Sequence, residues 1–169
     1  MTLSSFPADA ALTVLATRVA TAMQQHKLML ACAESCSGGW IAKALTDLSG
    51  SSAWFEAGVV SYSNEAKMAL LGVQRETLER AGAVSEATAL EMVCGVLRRL
   101  HAGVAVAVTG IAGPSGGTAE KPVGTVWIAW QREGSDARAK LFHFGGDRDA
   151  VRRQTVAAAL EGVLHMLTV

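Results

Sequence analysis

The chain has 169 residues, with 15 Lys and Arg against 15 Asp and Glu, so its formal net charge is zero, and half of its residues are hydrophobic. That balance excludes the broad cationic face that nonspecific nucleic-acid binding needs, and the apolar content excludes disorder as the main state. The length fits a single domain, residues 1–169, and only 18% of the residues are charged, few enough for a sheet buried on both faces.

Taken in chain order, Ala11, Leu12, Leu15, Ala16, Val19 and Met23 fall at helical spacing and predict a helix over residues 8–26. Leu28 to Ala33 follows as a short apolar run, a predicted buried strand and far short of the roughly 20 residues that cross a bilayer. No basic segment precedes the first apolar stretch, so no export signal is read; a cytoplasmic protein without a membrane partner is expected. Trp40 to Leu48 returns to helical spacing, Gly58 to Ser63 predicts a strand, and Asn64 to Leu71 a helix with Asn64 as its N-cap. Ser85 caps a predicted helix to about Leu100. Val104 to Thr109 is an Ala/Val strand, Gly110 to Lys121 a loop, and Val123 to Trp130 and Arg138 to Phe144 are strands close enough in sequence to pair antiparallel. Asp147 caps the last helix, through Met166. The alternation predicts an α/β fold, a three-layer α/β/α sandwich with a mixed, mostly parallel sheet of about five strands. Trp40, Trp54, Trp127 and Trp130 read as core or subunit-interface residues, and Trp54-Phe55, placed in a loop, suggests an interface between copies.

Cys32, Cys36 and Cys94 are an odd number in a chain large enough to fold without disulfides, which predicts reduced thiols. Cys32 and Cys36 lie four apart with no second Cys/His pair to complete a zinc site, so chemistry without a metal is expected.

Open α/β sheets bind ligands at the C-terminal ends of their parallel strands, which directs attention to three loops. The first, Glu34-Ser35-Cys36-Ser37-Gly38-Gly39, joins a strand to a helix; its serines and glycines fit either an anion or oxyanion site or a simple helix cap. Cys36 fits a nucleophile or a small buried hydrophobe. The second contains Tyr62, Asn64 and Lys67. A lysine one turn into that helix either points back to the strand ends, where a Ser–Lys pair is an alternative to Ser–His–Asp, or lies on the surface paired with Glu65 or Glu34. As a base it needs a pKa well below the ordinary value of about 10.4, and Tyr62 could hydrogen-bond the amine or the serine. The third, Thr109-Gly110-Ile111-Ala112-Gly113-Pro114-Ser115-Gly116-Gly117, matches G-x-S-x-G formally but leads into a strand, so it is no nucleophile elbow; its amides suit a phosphate. Arg148 or Arg152 near the start of the last helix is either a solvated charge or a phosphate clamp.

Seven collinear motifs carry a resemblance over nearly the whole chain: Ala33-Glu34-Ser35-Cys36-Ser37-Gly38-Gly39, Gly50-Ser51-Ser52-Ala53-Trp54-Phe55, Tyr62-Ser63-Asn64-Glu65-Ala66-Lys67, Gly82-Ala83-Val84-Ser85, Thr109-Gly110-Ile111-Ala112-Gly113-Pro114, Lys121-Pro122-Val123-Gly124-Thr125-Val126 and Gly146-Asp147-Arg148. The sequence thereby resembles the CinA C-terminal domain family, whose stand-alone members include bacterial nicotinamide-nucleotide amidases. Threonine is common in the family where Ser37 stands, a change that keeps a hydroxyl. The resemblance implies hydrolysis of the carboxamide of nicotinamide mononucleotide to nicotinate mononucleotide and ammonia, in pyridine-nucleotide recycling, with no cofactor and no metal. It implies Ser35 as nucleophile, Lys67 as general base and Tyr62 as helper, with Ser37 open as the alternative nucleophile. Glu34, Ser37, Gly38, Gly39, Asn64, Thr109, Gly110, Ile111, Ala112, Gly113 and Arg148 are the candidate substrate-binding residues. A homo-oligomer, a dimer, is expected. The other reading is a non-catalytic interaction domain related to competence or DNA damage, since two-domain members of the family carry that association.

Overall fold

Strand β1 (Leu30–Glu34) is buried along its whole length because its residues serve both faces of the sheet at once. In the computed structural model, which describes residues 6–168, β1 pairs in parallel with β2 (Phe55–Val60) on one side and β3 (Val104–Gly110) on the other. Strand β4 (Thr125–Arg132) runs antiparallel to β3, and β5 (Arg138–His143) antiparallel to β4. The order is β2-β1-β3-β4-β5, so four strands point one way and β4 alone is reversed. The predicted mixed, mostly parallel five-stranded sheet is what forms.

The two faces differ in side-chain size. Leu30, Cys32, Val104, Val106, Val108, Val126 and Ile128 point toward α1 (Asp9–His26), α2 (Trp40–Thr46) and α6 (Arg148–Thr168). Ala31, Ala33, Ala105, Ala107 and Ala129 point the other way, toward α5 (Glu86–Arg99). The small side chains at the centre of this face let α5 lie close on the sheet, and α5 in turn carries the segment before it. That segment is a single α-turn, α3 (Asn64–Ala66), continuing without a break into a π-helical turn, Lys67–Leu71, and then α4 (Arg75–Ala81). Gly95 of α5 makes the approach possible: a Cβ there would sit 1.9 Å from the Leu71 carbonyl oxygen. Arg99 of α5 donates to the carbonyls of Ala69 and Leu70, which the end of the turn leaves without helical partners. Gly95→Ala is therefore expected to destabilise the fold by about 3 kcal/mol, which thermal unfolding will record as a fall in Tm of roughly 6–12 °C.

Several sequence expectations are corrected. The cap of α3 is Ser63, whose hydroxyl accepts from the Ala66 amide, so Asn64 is the first helical residue rather than the cap. Strand β2 starts at Phe55 and ends at Val60, before Tyr62 and Ser63. Trp54 is 1% exposed and Phe55 packs on the same core, so this pair is interior and not an exposed interface. Helix α4 has no sequence expectation at all. Its N-terminus is held by Glu91 of α5, which accepts from the Gln74 amide at 2.7 Å and the Thr77 hydroxyl at 2.5 Å, a support seventeen residues away from the amide it binds. Ser85 and Asp147 cap α5 and α6 as read from sequence.

Candidate active site

Glu34 and Val60 end β1 and β2 side by side while β3 runs two residues further, from Val108 to Gly110, and the chain after β1 turns between β2 and β3, where strand connections leave in opposite directions. The Glu34 carboxylate organises that turn. It is fully buried and accepts from the Ser37 hydroxyl at 2.5 Å and from the amides of Gly39 (3.1 Å), Ile41 (3.1 Å) and Ala42 (2.8 Å). A carboxylate placed on the first amides of α2 caps that helix from the strand and sits at the favourable end of its dipole. Glu34 therefore holds the loop together, with both of its oxygens already engaged. Ser37 is committed to Glu34 in the same way.

Ser35 meets a different partner. Its hydroxyl lies 2.9 Å from the Lys67 amine, which also donates to the carbonyls of Ser61 at 2.7 Å and Tyr62 at 3.3 Å. Lys67 is 1% exposed and forms none of the ion pairs found among the described residues, so the surface pairing with Glu65 or Glu34 does not occur. Burial pulls the pKa of this amine below the ordinary lysine value. In the uncharged form two N–H groups satisfy the two carbonyls and a lone pair is left for the Ser35 hydroxyl. Lys67 is the first residue of the π-turn, and such turns recur at functional positions.

The Tyr62 phenol does not reach the amine. Its side chain is exposed, and its hydroxyl accepts from Arg148 at 3.1 Å, while only its backbone carbonyl touches Lys67. Arg148 also donates to the Gly113 carbonyl at 2.7 Å and so ties the Tyr62 loop to the glycine loop. Pro114, Arg148 and Asp149 belong to an open cleft of about 460 Å³ beside that loop, together with Ala112 and Gly146. Thr109 is buried, its hydroxyl donating to the Ala83 carbonyl at 2.8 Å, which ties β3 to the loop before α5. Asn64 is exposed at the mouth of the second loop.

Of the candidate oxyanion donors, Gly38 donates to the Ser35 carbonyl, Gly39 to Glu34 and Ile111 to the Thr125 carbonyl. Among the described residues the amides of Ser37, Ala112 and Gly113 have no protein acceptor. Sequence reasoning overlooked Ser61, because its contribution is a main-chain carbonyl that no side-chain motif announces. Arg152, named only beside Arg148, donates to the Ser37 carbonyl at 2.7 Å with its guanidinium 5.6 Å from the Trp40 ring centre.

Cys36 is a competing nucleophile in the same loop, and its environment speaks against it. Burial pushes its thiol up to about 12, so almost no thiolate is present near neutrality. All three cysteines are free thiols. Cys36→Ala is expected to keep catalytic turnover within about threefold of the wild type, since the inert thiol only fills space; steady-state rates on the two proteins check this.

Three comparisons bear on this arrangement. The family model described as "CinA C-terminal domain" matches residues 12–167. The chain is 50% identical over 153 residues to the nicotinamide-nucleotide amidohydrolase PncC of Escherichia coli K12, covering 90% of this chain and 93% of that protein. It is 50% identical over 157 residues to the protein of the same name from Pseudomonas putida, covering 93% and 98%. A solved structure, the competence/damage inducible protein CihA from Agrobacterium tumefaciens, superposes with a TM-score of 0.91 at 47% identity, covering 99% of this chain and all of that one.

Proposed function

From the chain's place as a member of the CinA C-terminal domain family, we propose that it is an amidohydrolase that converts nicotinamide mononucleotide to nicotinate mononucleotide and ammonia, with Ser35 as nucleophile and Lys67 as its base. The observation that carries the reading is the contact between the buried Lys67 amine and the Ser35 hydroxyl. The amidohydrolase names of relatives half identical over nine-tenths of the chain supply the reaction class and the substrate.

In this mechanism Ser35 Oγ attacks the carboxamide carbon while Lys67 Nζ takes the hydroxyl proton. The carbonyl oxygen becomes an oxyanion, and the Ser37 amide, two residues from the nucleophile, is a donor left open to it, as are the Ala112 and Gly113 amides. The ammonium of Lys67 is held for that interval by the Ser61 and Tyr62 carbonyls and then protonates the departing nitrogen, which leaves as ammonia. Water, deprotonated by the same amine, attacks the ester on Ser35; Lys67 then returns that proton to Ser35 Oγ as it leaves, and the acid departs as the carboxylate. Glu34 and Arg152 position the loop: one fills its inside with an acceptor, and the other grips the Ser37 carbonyl. Arg148, exposed at the N-terminus of α6 and bridging Tyr62 to Gly113, is the residue assigned to the substrate phosphate. Tyr62 acts through that bridge and not through proton transfer.

The expected assembly is a homodimer acting on a pyridine nucleotide in its recycling. Purified protein incubated with nicotinamide mononucleotide is expected to release ammonia and nicotinate mononucleotide in equal amounts. A protein that releases neither fits the interaction-domain alternative instead.

A further inference from the structure

A second cleft lies away from Ser35 and Lys67. It encloses about 550 Å³, within the range of small-molecule sites, between the outer strands β4 and β5 and the C-terminal half of α6. Arg132 at its rim pairs across β3 with Val104, the first residue of that strand, whereas Ser35 follows a residue that pairs with Val108, so the two sites occupy opposite ends of the sheet. Against the sheet, helix α6 packs chiefly on β3 and β4.

Three kinds of recognition group line this cleft. Its wall is aromatic and fixed in place: the Trp130 indole donates to the Ala159 carbonyl at 2.9 Å and occupies the space a side chain at Gly162 would need, since a Cβ there would lie 2.2 Å from the ring. Phe142 meets Trp130 edge to face, with ring centres 6.4 Å apart, and stacks on Phe144 at 5.2 Å. Next to this wall stand Arg132, Arg138 and Lys140, the last with its amine 5.0 Å from the centre of the Phe142 ring. None of the three cations is in an ion pair among the described residues. Asp136 and Glu161 add two carboxylates.

A flat π-system, an anion and neighbouring hydroxyls are what an aromatic wall, unpaired cations and free carboxylates respectively recognise, and one ligand class carries all three. We propose that this cleft is a second nucleotide site, taking a nucleoside 5′-monophosphate with the base against Trp130 and Phe142, the phosphate on Arg138, Lys140 and Arg132, and the ribose hydroxyls on Asp136 or Glu161. The site stands apart from the amide-hydrolysis reading and holds whether or not that reading does.

The test uses adenosine 5′-monophosphate as the probe and the indole N–H resonance of Trp130 in the full chain, assigned by Trp130→Phe. Saturable displacement of that resonance is expected, with at least tenfold weaker binding in Arg138→Glu/Lys140→Glu, a difference of about 1.4 kcal/mol, and similarly weaker binding of adenosine to the wild type. Both substituted residues are exposed, so the variant is expected to fold and to keep its rate on nicotinamide mononucleotide. An unmoved resonance up to millimolar probe overturns the proposal, and so does equal binding by the charge-reversed variant. Conversion of a dimer to a monomer by the charge reversal, with no effect of the probe, assigns the cleft to a second copy of the chain and also overturns it.

Discussion

Ser35→Ala is expected to lower the turnover of nicotinamide mononucleotide by at least about 10⁴-fold, the scale seen when a serine nucleophile is removed. The binding surface stays, so KM should change little. The Ser35 hydroxyl has Lys67 as its side-chain partner, and the backbone of this residue is held by Val108 through its amide and by Gly38 through its carbonyl, so Tm should move by no more than a degree or two. Ser37→Ala separates the two serines of the loop. It removes one of five donors from the buried Glu34 carboxylate, the others being the Cys32 thiol and three amides, and leaves the Lys67–Ser35 contact in place, so a loss of about 1–2 kcal/mol in stability is expected with only about a tenfold loss in rate. Parallel kinetics and thermal unfolding on the two variants read both quantities.

Lys67→Met carries the second large effect. The substitution keeps the length and apolar stem of a side chain that is buried anyway, and removes the amine, so a rate loss comparable with that of Ser35→Ala is expected; the two residues act as one unit and the double variant should be no worse than either single one. Stability follows a definite sign. Because burial lowers the amine's pKa in the folded state, the unfolded chain binds the extra proton over the interval between the folded value and the ordinary value of about 10.4. Across that interval the wild type gains stability as pH rises, and the gain is absent from Lys67→Met. Denaturation measured from neutral pH to about 10 should therefore show the wild type improving relative to the variant. In kinetics the same amine must be unprotonated to accept the serine proton, so kcat/KM should rise with pH along a limb whose midpoint lies below the ordinary lysine value. A rate independent of pH through this range counts against Lys67 as the base.

The outline of the fold was legible because its signals are local. A strand reading Leu-Ala-Cys-Ala ahead of a Ser/Gly cluster, serine and aspartate at the starts of α5 and α6, and the alternation of helix and strand each depend on a few neighbouring residues. The missed parts depend on distant ones. Helix α4 is amphipathic only weakly, with Thr77 and Leu78 as its buried residues, and its start is stabilised by Glu91 on another helix. The π-turn at Lys67 rests on α5, where Gly95 leaves room for its backbone and Arg99 donates to its carbonyls, a tertiary fit that helical spacing alone cannot reveal. At the site, the residues Ser35, Lys67, Glu34 and Tyr62 were identifiable by type and spacing, but their division of labour was not. Ser35 and Ser37 are two positions apart on one loop, and only the Glu34 carboxylate, by taking the Ser37 hydroxyl, distinguishes the one left facing the amine. Tyr62, expected to hydrogen-bond the amine or the serine, instead turns its carbonyl to Lys67 and its phenol outward to Arg148.

The central claim is that the reaction passes through an ester on Ser35, and rapid acid quenching of the enzyme with excess nicotinamide mononucleotide, followed by peptide mass mapping, tests it most directly. The account predicts a chain heavier by the mass of the substrate less ammonia, with the addition located on Ser35 and absent from Ser35→Ala. An addition on Ser37 or Cys36, or ammonia released in a first turnover with the chain unmodified at every quench time, contradicts it.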